Sequence, residues 1–178
     1  MSESLPIQSS EVSPLSYQAQ EYKPDPKTWE EIKDDIFALH RSSFPEIEDL
    51  EQKLQRGFND KDNTAVLLYD MAAGEPKKLI GYSFAIPMPY RDPIQRKNIP
   101  TAAIDSTVIE EGYRGKGLVG LLMEQMEEIL RRRGYEQMER SVVTYNGYAD
   151  KVGKHYGSRI LQTPLSLRSD RKKFIIKL

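Results

Sequence analysis

Between Ile104 and Leu122 a β-rich run passes directly into an apolar helical stripe through Gly112, Gly115 and Gly117. That junction constrains the fold more than any other stretch of the chain. Small residues let successive backbone N–H groups converge on one point, and the start of the helix adds about half a unit of positive charge there. Arg114 and Lys116 stand in the same turn, so a phosphate or pyrophosphate is its natural ligand. A tight strand-to-helix turn with solvated basic residues is the plainer reading, and the turn alone does not separate the two.

Two nucleotide-binding architectures can be weighed against this turn. Gly115, Gly117 and Gly120 match GxGxxG, the fingerprint of a dinucleotide-dependent oxidoreductase. A doubly wound domain needs several further βα units after that fingerprint, and only about sixty residues of the 178-residue chain follow Gly120. A Walker A loop is excluded, because no Ser or Thr follows a GxxxxGK run.

The flanking sequence reads as a mixed α+β domain. Ser16 to Tyr22 is a first strand, and Pro24 and Pro26 precede a helix begun around Thr28 with Trp29, Ile32, Ile36, Phe37 and His40 on one face. Ile47, Leu50 and Leu54 mark a second helix. Ala65 to Asp70 and Lys78 to Ile86 form an antiparallel hairpin, followed by a proline-rich loop from Pro87 to Pro100. Ala102 to Ile109 is the next strand, and Leu118 to Arg133 a helix with Leu118, Leu122, Met126, Ile129 and Leu130 on its stripe. Glu139 to Tyr145, a short helix over Gly147 to Tyr156, and strands at Arg159 to Leu167 and Lys172 to Leu178 close the chain. The predicted fold is a mixed, mostly antiparallel central sheet with flanking helices.

Residues 1–14 have the Ser, Glu and Pro content of a loosely docked or disordered tail, leaving 15–178 as one domain. The chain has no cysteine, which removes disulfides, thiolate metal sites and cysteine nucleophiles; with only His40 and His155, a histidine-rich metal site is excluded too. Lys+Arg number 26 against 27 Asp+Glu, a balance that argues against generic nucleic-acid binding. No segment approaches the roughly 20 apolar residues of a membrane span, and Met1 to Pro14 does not read as a signal peptide. A cytoplasmic protein is expected, with its oligomeric state, a homodimer included, left open.

The stretch Ile109 to Leu122 resembles the acetyl-CoA pyrophosphate motif of the GCN5-related N-acetyltransferases (GNAT), a hydrophobic strand residue followed five positions later by [Arg/Gln]xxGx[Gly/Ala]. Arg114-Gly-Lys-Gly117-Leu-Val119 follows it, with Val119 where the family has a small residue and Gly120 beside it. Asn146, Ala149 and Gly157 stand at the offsets of a second family motif, and Phe44-Pro45 between the first two helices is a common family feature. The resemblance covers about Ser16 to Leu178.

It implies an acetyl-CoA-dependent N-acetyltransferase with acetyl-CoA as cosubstrate and a primary amine of a small molecule, peptide or protein as acceptor. A non-catalytic acyl-CoA-binding module of the same fold is the alternative. Cofactor-binding residues would be Thr107, Val108 and Ile109 on the strand, Arg114, Gly115, Lys116, Gly117, Leu118, Val119 and Gly120 at the turn and helix start, and Asn146. Pantetheine would lie between two splayed strands, and the N–H of Ile109 would stabilise the oxyanion.

The attacking amine must be neutral, so a carboxylate is wanted in the cleft. Asp105 lies on the strand of Ile109 and by simple alternation shares a pleat face with Thr107; Glu139 is a weaker choice. The family's thiolate-protonating tyrosine falls on Gly153, which points to Tyr156, with Tyr148 and Tyr145 as alternatives. Acceptor selection would fall to Arg41 to Asp49 and Pro87 to Pro100. There Glu46, Glu48, Asp49 and nearby Glu51 could attract a cation, or Arg91, Arg96 and Lys97 an anion.

Overall fold

A computed structural model of the chain describes residues 16–44, 49–72, 74, 77–91, 97–144, 147–162 and 170–178. Seven strands form one sheet: β1 (Tyr17–Tyr22), β2 (Thr64–Asp70), β3 (Lys78–Arg91), β4 (Asn98–Ile109), β5 (Gln137–Val143), β6 (Ile160–Gln162) and β7 (Arg171–Lys177). Their spatial order is β1-β2-β3-β4-β5-β7-β6. Every neighbouring pair is antiparallel except β4 with β5. The flanking helices are α1 (Pro26–Ser43), α2 (Leu50–Asn59), α3 (Leu118–Arg132) and α4 (Tyr148–Tyr156).

Local chemistry explains where the elements start. The Asp25 carboxylate accepts the Thr28 N–H at 2.8 Å, and Pro26 occupies the first turn of α1, where an N–H would have no partner. The helix therefore begins slightly before Thr28. On α3 the buried positions Leu118, Leu122, Met126, Ile129 and Leu130 recur at helical spacing and pack on Val66, Leu68, Ile80, Ala102 and Met138 of the sheet. Burying each such side chain contributes roughly 1.5–3 kcal/mol. Trp29, Ile36 and Leu39 of α1, with Leu54 and Phe58 of α2, cover the other face over Leu67, Tyr82, Phe84 and Val108.

The segment expected as a long loop from Pro87 to Pro100 is mostly sheet. β3 runs on to Arg91 and pairs with β4 through Pro87↔Ala102 and Pro89↔Pro100. Pro87 and Pro89 are tolerated because β2 pairs no further than Ala85, so beyond that point β3 is an edge strand and has no second neighbour to receive an N–H. β5 starts earlier than expected, at Gln137, and ends at Val143. Of the expected Arg159 to Leu167 strand, β6 takes Ile160–Gln162, and residues 163–169 lie outside the described residues.

A β-bulge interrupts β4. Ala85 pairs with Ile104 and Phe84 with Ser106, leaving Asp105 as the extra residue. Before the bulge, Ala102 and Ile104 face α3; after it, Ile109 faces α3 while Val108 faces α1 and α2. The pleat therefore changes parity at Asp105.

Gly81 sits opposite Ile109, where an added Cβ would lie 2.6 Å from the Val108 carbonyl oxygen and 2.8 Å from Ile109 Cδ1. Gly81→Ala is expected to lower stability by about 1–3 kcal/mol, read as a lower thermal midpoint; an unchanged midpoint would show that the two strands part freely.

Candidate functional site

The sheet is incomplete where its two halves meet. β4 and β5 pair only from Thr101↔Gln137 to Ile104↔Arg140. Beyond that, β4 stays with β3 and β5 with β7, so the strands diverge after the bulge. A cleft of about 650 Å³ opens between them, walled by Asp105, Thr107 and Ile109 on β4 and by Arg140 to Val143 on β5.

The Glu110 N–H donates to the Ile80 carbonyl on β3 at 2.8 Å. Alternation along the strand then turns the backbone groups of Thr107 and Ile109 away from β3, toward the cleft. The Thr107 hydroxyl is hydrogen-bonded to Ser83 Oγ at 3.0 Å. Arg114 Nε donates to the Ile109 carbonyl at 2.9 Å, so the N–H is the Ile109 backbone group a ligand would meet.

At the open end of the cleft lies the glycine turn. Gly115 and Gly117 have φ of +79° and +77°, a region glycine enters without steric cost. Gly117 caps α3, whose first N–H groups have no carbonyl partner within the helix. Apart from the adjoining residues, no atom of the described residues comes within 4 Å of an added Cβ at Gly115 or Gly117, and Gly115, Gly117, Leu118 and Val119 all line the cleft. Arg114 also donates to Ser43 Oγ at 3.0 Å, tying the turn to the end of α1.

Other expected cofactor residues sit further out. The Lys116 ammonium rests 4.8 Å from the centre of the Tyr113 ring. The Val108 side chain is buried beneath α1 and α2 rather than in the cleft. Gly120 lies inside the first turns of α3, and Asn146 falls outside the described residues. Among the described residues that line the cleft, the charged side chains are Asp105 against Arg114, Arg140, Lys151 and Arg171. A surface with that imbalance attracts a polyanion.

The family model for "Acetyltransferase (GNAT) family" matches residues 29–161. The chain belongs to the GNAT family. The fold is also similar to that of Arabidopsis thaliana NAA60 in complex with a bisubstrate analogue, at 17% identity and a TM-score of 0.64 over 90% of this chain and 99% of that one. The NatC complex bound to Gag peptide and CoA gives 18% identity and a TM-score of 0.70, covering 92% and 99%. Aminoglycoside 6'-acetyltransferase type Ii gives 18% identity and 0.64, covering 90% and 96%. No curated protein sequence matches the chain.

The structure sets the expected catalytic residues of this GNAT domain in different surroundings. Asp105 is exposed on the cleft wall, but the bulge removes it from the regular alternation that would pair it with Thr107. Its charge acts on two groups on the α1 side of the sheet, His40 and Tyr82. Tyr156 is only 2% exposed and does not line the cleft; its hydroxyl accepts from Arg140 at 3.4 Å, and burial pushes its pKa up to about 12. Tyr148 does line the cleft, accepting from Arg140 at 2.9 Å, and Tyr145 lies outside the described residues. Glu139 is paired with Lys173 at 2.7 Å. Glu51 is paired with Arg41, while Glu46, Glu48 and Arg96 lie outside the described residues.

Sequence reasoning missed Arg140, Lys151 and Arg171 as cleft residues, while Phe44 falls within the Arg41 to Asp49 segment expected to select the acceptor. One signal was available: on β5, Arg140 shares the face of Met138 and Val142, an arginine in an apolar alternation.

Beneath the cleft, His40 Nδ1 is hydrogen-bonded to the Tyr82 hydroxyl, and burial holds the imidazole pKa below its usual range against the opposing pull of Asp105. The unfolded chain then binds a proton more readily than the folded one, so this contribution is complete above the unfolded pKa of about 6.5 and is lost as pH falls below it. Urea unfolding at pH 7 and pH 5 should show a larger loss of stability for the native chain than for His40→Gln; equal losses would remove His40 as the source.

Proposed function

We propose that this chain transfers an acetyl group from acetyl-CoA to a primary amine of a small molecule, peptide or protein. The observation that carries the reading is the cleft itself, a split between β4 and β5 that runs from a basic glycine turn to the paired end of the two strands. The pyrophosphate would sit on the N–H groups of Gly115 to Val119 at the start of α3, next to Arg114 and Lys116. Gly120 would leave room for it. Pantetheine would run between the strands and bond the backbone of Thr107 and Ile109, with Val108 anchoring that strand from the opposite face; Asn146 is a further proposed contact.

The chemistry follows from which groups face the cleft. An amine with a pKa near 10 is almost entirely protonated at neutral pH, so it must lose a proton before it attacks. Asp105, exposed on the wall, would accept that proton directly or through a water. The nitrogen lone pair forms the C–N bond, a backbone N–H of the β4 wall deeper in the cleft than Ile109 would stabilise the negative carbonyl oxygen, and the C–S bond then breaks with both electrons leaving on sulfur. No covalent enzyme intermediate is needed, which agrees with a chain that has no cysteine. The acceptor would approach past Phe44, which lines the cleft at the end of α1.

Calorimetric titration is the test of the cofactor site. Acetyl-CoA should bind and NADH should not, and Arg114→Ala should weaken acetyl-CoA by about ten- to a hundredfold, the loss expected for hydrogen bonds to a charged group. Absence of acetyl-CoA binding would overturn the proposal. CoA release with a panel of amines tests the chemistry, and Asp105→Asn should lower kcat by about 10²-fold or more. Binding without release from any amine would favour the non-catalytic acyl-CoA-binding module.

A further inference from the structure

Arg140 is the last β5 residue paired with β4, opposite Ile104, so it stands at the closed end of the cleft. It is 5% exposed. Its guanidinium donates to the hydroxyls of Tyr148 and Tyr156, and both ring centres lie 5.9 Å from it. Among the described residues it forms no ion pair. The nearby carboxylates are engaged elsewhere: Glu127 with Arg131 at 2.7 Å and Arg159 at 2.6 Å, and Glu139 with Lys173.

An arginine stays ionised even when buried, and a buried charge without a counter-charge is costly. Neutral hydroxyls orient the guanidinium without neutralising it. The fold therefore holds a fixed cation at the closed end of the cleft, the end toward which, on the acetyl-transfer reading above, a pantetheine arm entering from the glycine turn past Ile109 and Thr107 would carry its sulfur.

We propose that Arg140 is a catalytic residue that receives the departing CoA thiolate as an ion pair, with Tyr148 and Tyr156 holding its guanidinium in place. As the C–N bond forms and the C–S bond breaks, sulfur leaves with both electrons and meets the guanidinium. The amine proton passes to Asp105, and the thiolate takes a proton from water on leaving the cleft. A tyrosine held near pKa 12 is a poor proton donor to a thiolate, whose conjugate acid ionises near 8.5, so charge pairing serves where proton transfer from Tyr156 would run uphill. Among the described residues, the other charged groups around the position are Asp105 on β4, Lys151 on α4, Arg171 on β7 and, through Tyr156, Glu127 on α3 and Arg159 before β6.

The test uses free CoA bound to the protein, with the ultraviolet absorbance of its thiolate followed as pH is raised. The bound thiol is expected to ionise about 1–3 pH units below the free thiol value of about 8.5, as groups beside an opposite charge do. Arg140→Met should return it toward the free value, and Arg140→Lys should keep part of the shift. CoA affinity at pH 6, where the thiol is protonated, should change less than about threefold in either variant, and kcat for Arg140→Met should fall about ten- to a hundredfold at constant KM, the scale of one or two pK units of lost charge stabilisation. Bound CoA that titrates at its free value in the unmodified protein would overturn the proposal without touching the cofactor site, and so would a shift that survives in a folded Arg140→Met. Failure of CoA to bind at all would overturn the acetyl-transfer reading and this one together.

Discussion

Everything distinctive about this molecule depends on a short parallel pairing. β4 and β5 are held together only up to Ile104↔Arg140, and the Asp105 bulge bends β4 immediately afterwards. A strand that swaps one face for the other cannot stay in register with a neighbour that does not. The two halves of the sheet remain joined at one end and part at the other, while each free segment keeps a partner on its outer side, β3 for β4 and β7 for β5. The result is a slot inside a sheet whose remaining hydrogen bonds are intact, lined on the β4 side by backbone groups turned toward a ligand.

The two ends of that slot differ in chemistry. At the open end the cationic character comes from backbone geometry, two glycines at positive φ leading into α3, with Arg114 braced between Ile109 and Ser43. At the closed end it comes from a side chain, Arg140, buried and oriented by two tyrosines. Asp105 stands between them as the carboxylate on the wall. A ligand anionic at one end and transiently anionic at the other fits this distribution, which adds to the acetyl-CoA reading carried by the cleft. The two helical layers serve the slot indirectly: α3 holds the turn in place through a fully buried stripe, and α1 brings Ser43 and Phe44 to its edge.

The glycine turn and the apolar stripe of α3 were legible because their signals are local: each depends on residues within a few positions of one another. The same holds for the order of strands and helices, and for Thr107, Ile109, Arg114, Gly115, Gly117, Leu118 and Val119 meeting at one cleft. The proline-rich segment after Ile86 misled the reading, because whether a proline is tolerated in a strand depends on which side of that strand has a neighbour, and β2 stops at Ala85. Asp105 was placed on the right strand, but periodic alternation cannot register an extra residue that only the partner strand reveals. Tyr156 was chosen by helical spacing, which gives a residue's face but not its depth.

The sequence by itself determined the resemblance to the family, the mixed α+β order of elements and the place of the glycine turn, since these rest on motif residues, hydrophobic period and capping residues close together in the chain. Only the tertiary structure decided that β4 and β5 part after Ile104, that Asp105 leaves the pleat, and that Arg140 faces the cleft without a carboxylate partner among the described residues. Those features arise from pairings between segments tens of residues apart, where register, burial and counter-charge are properties of the neighbour as much as of the residue.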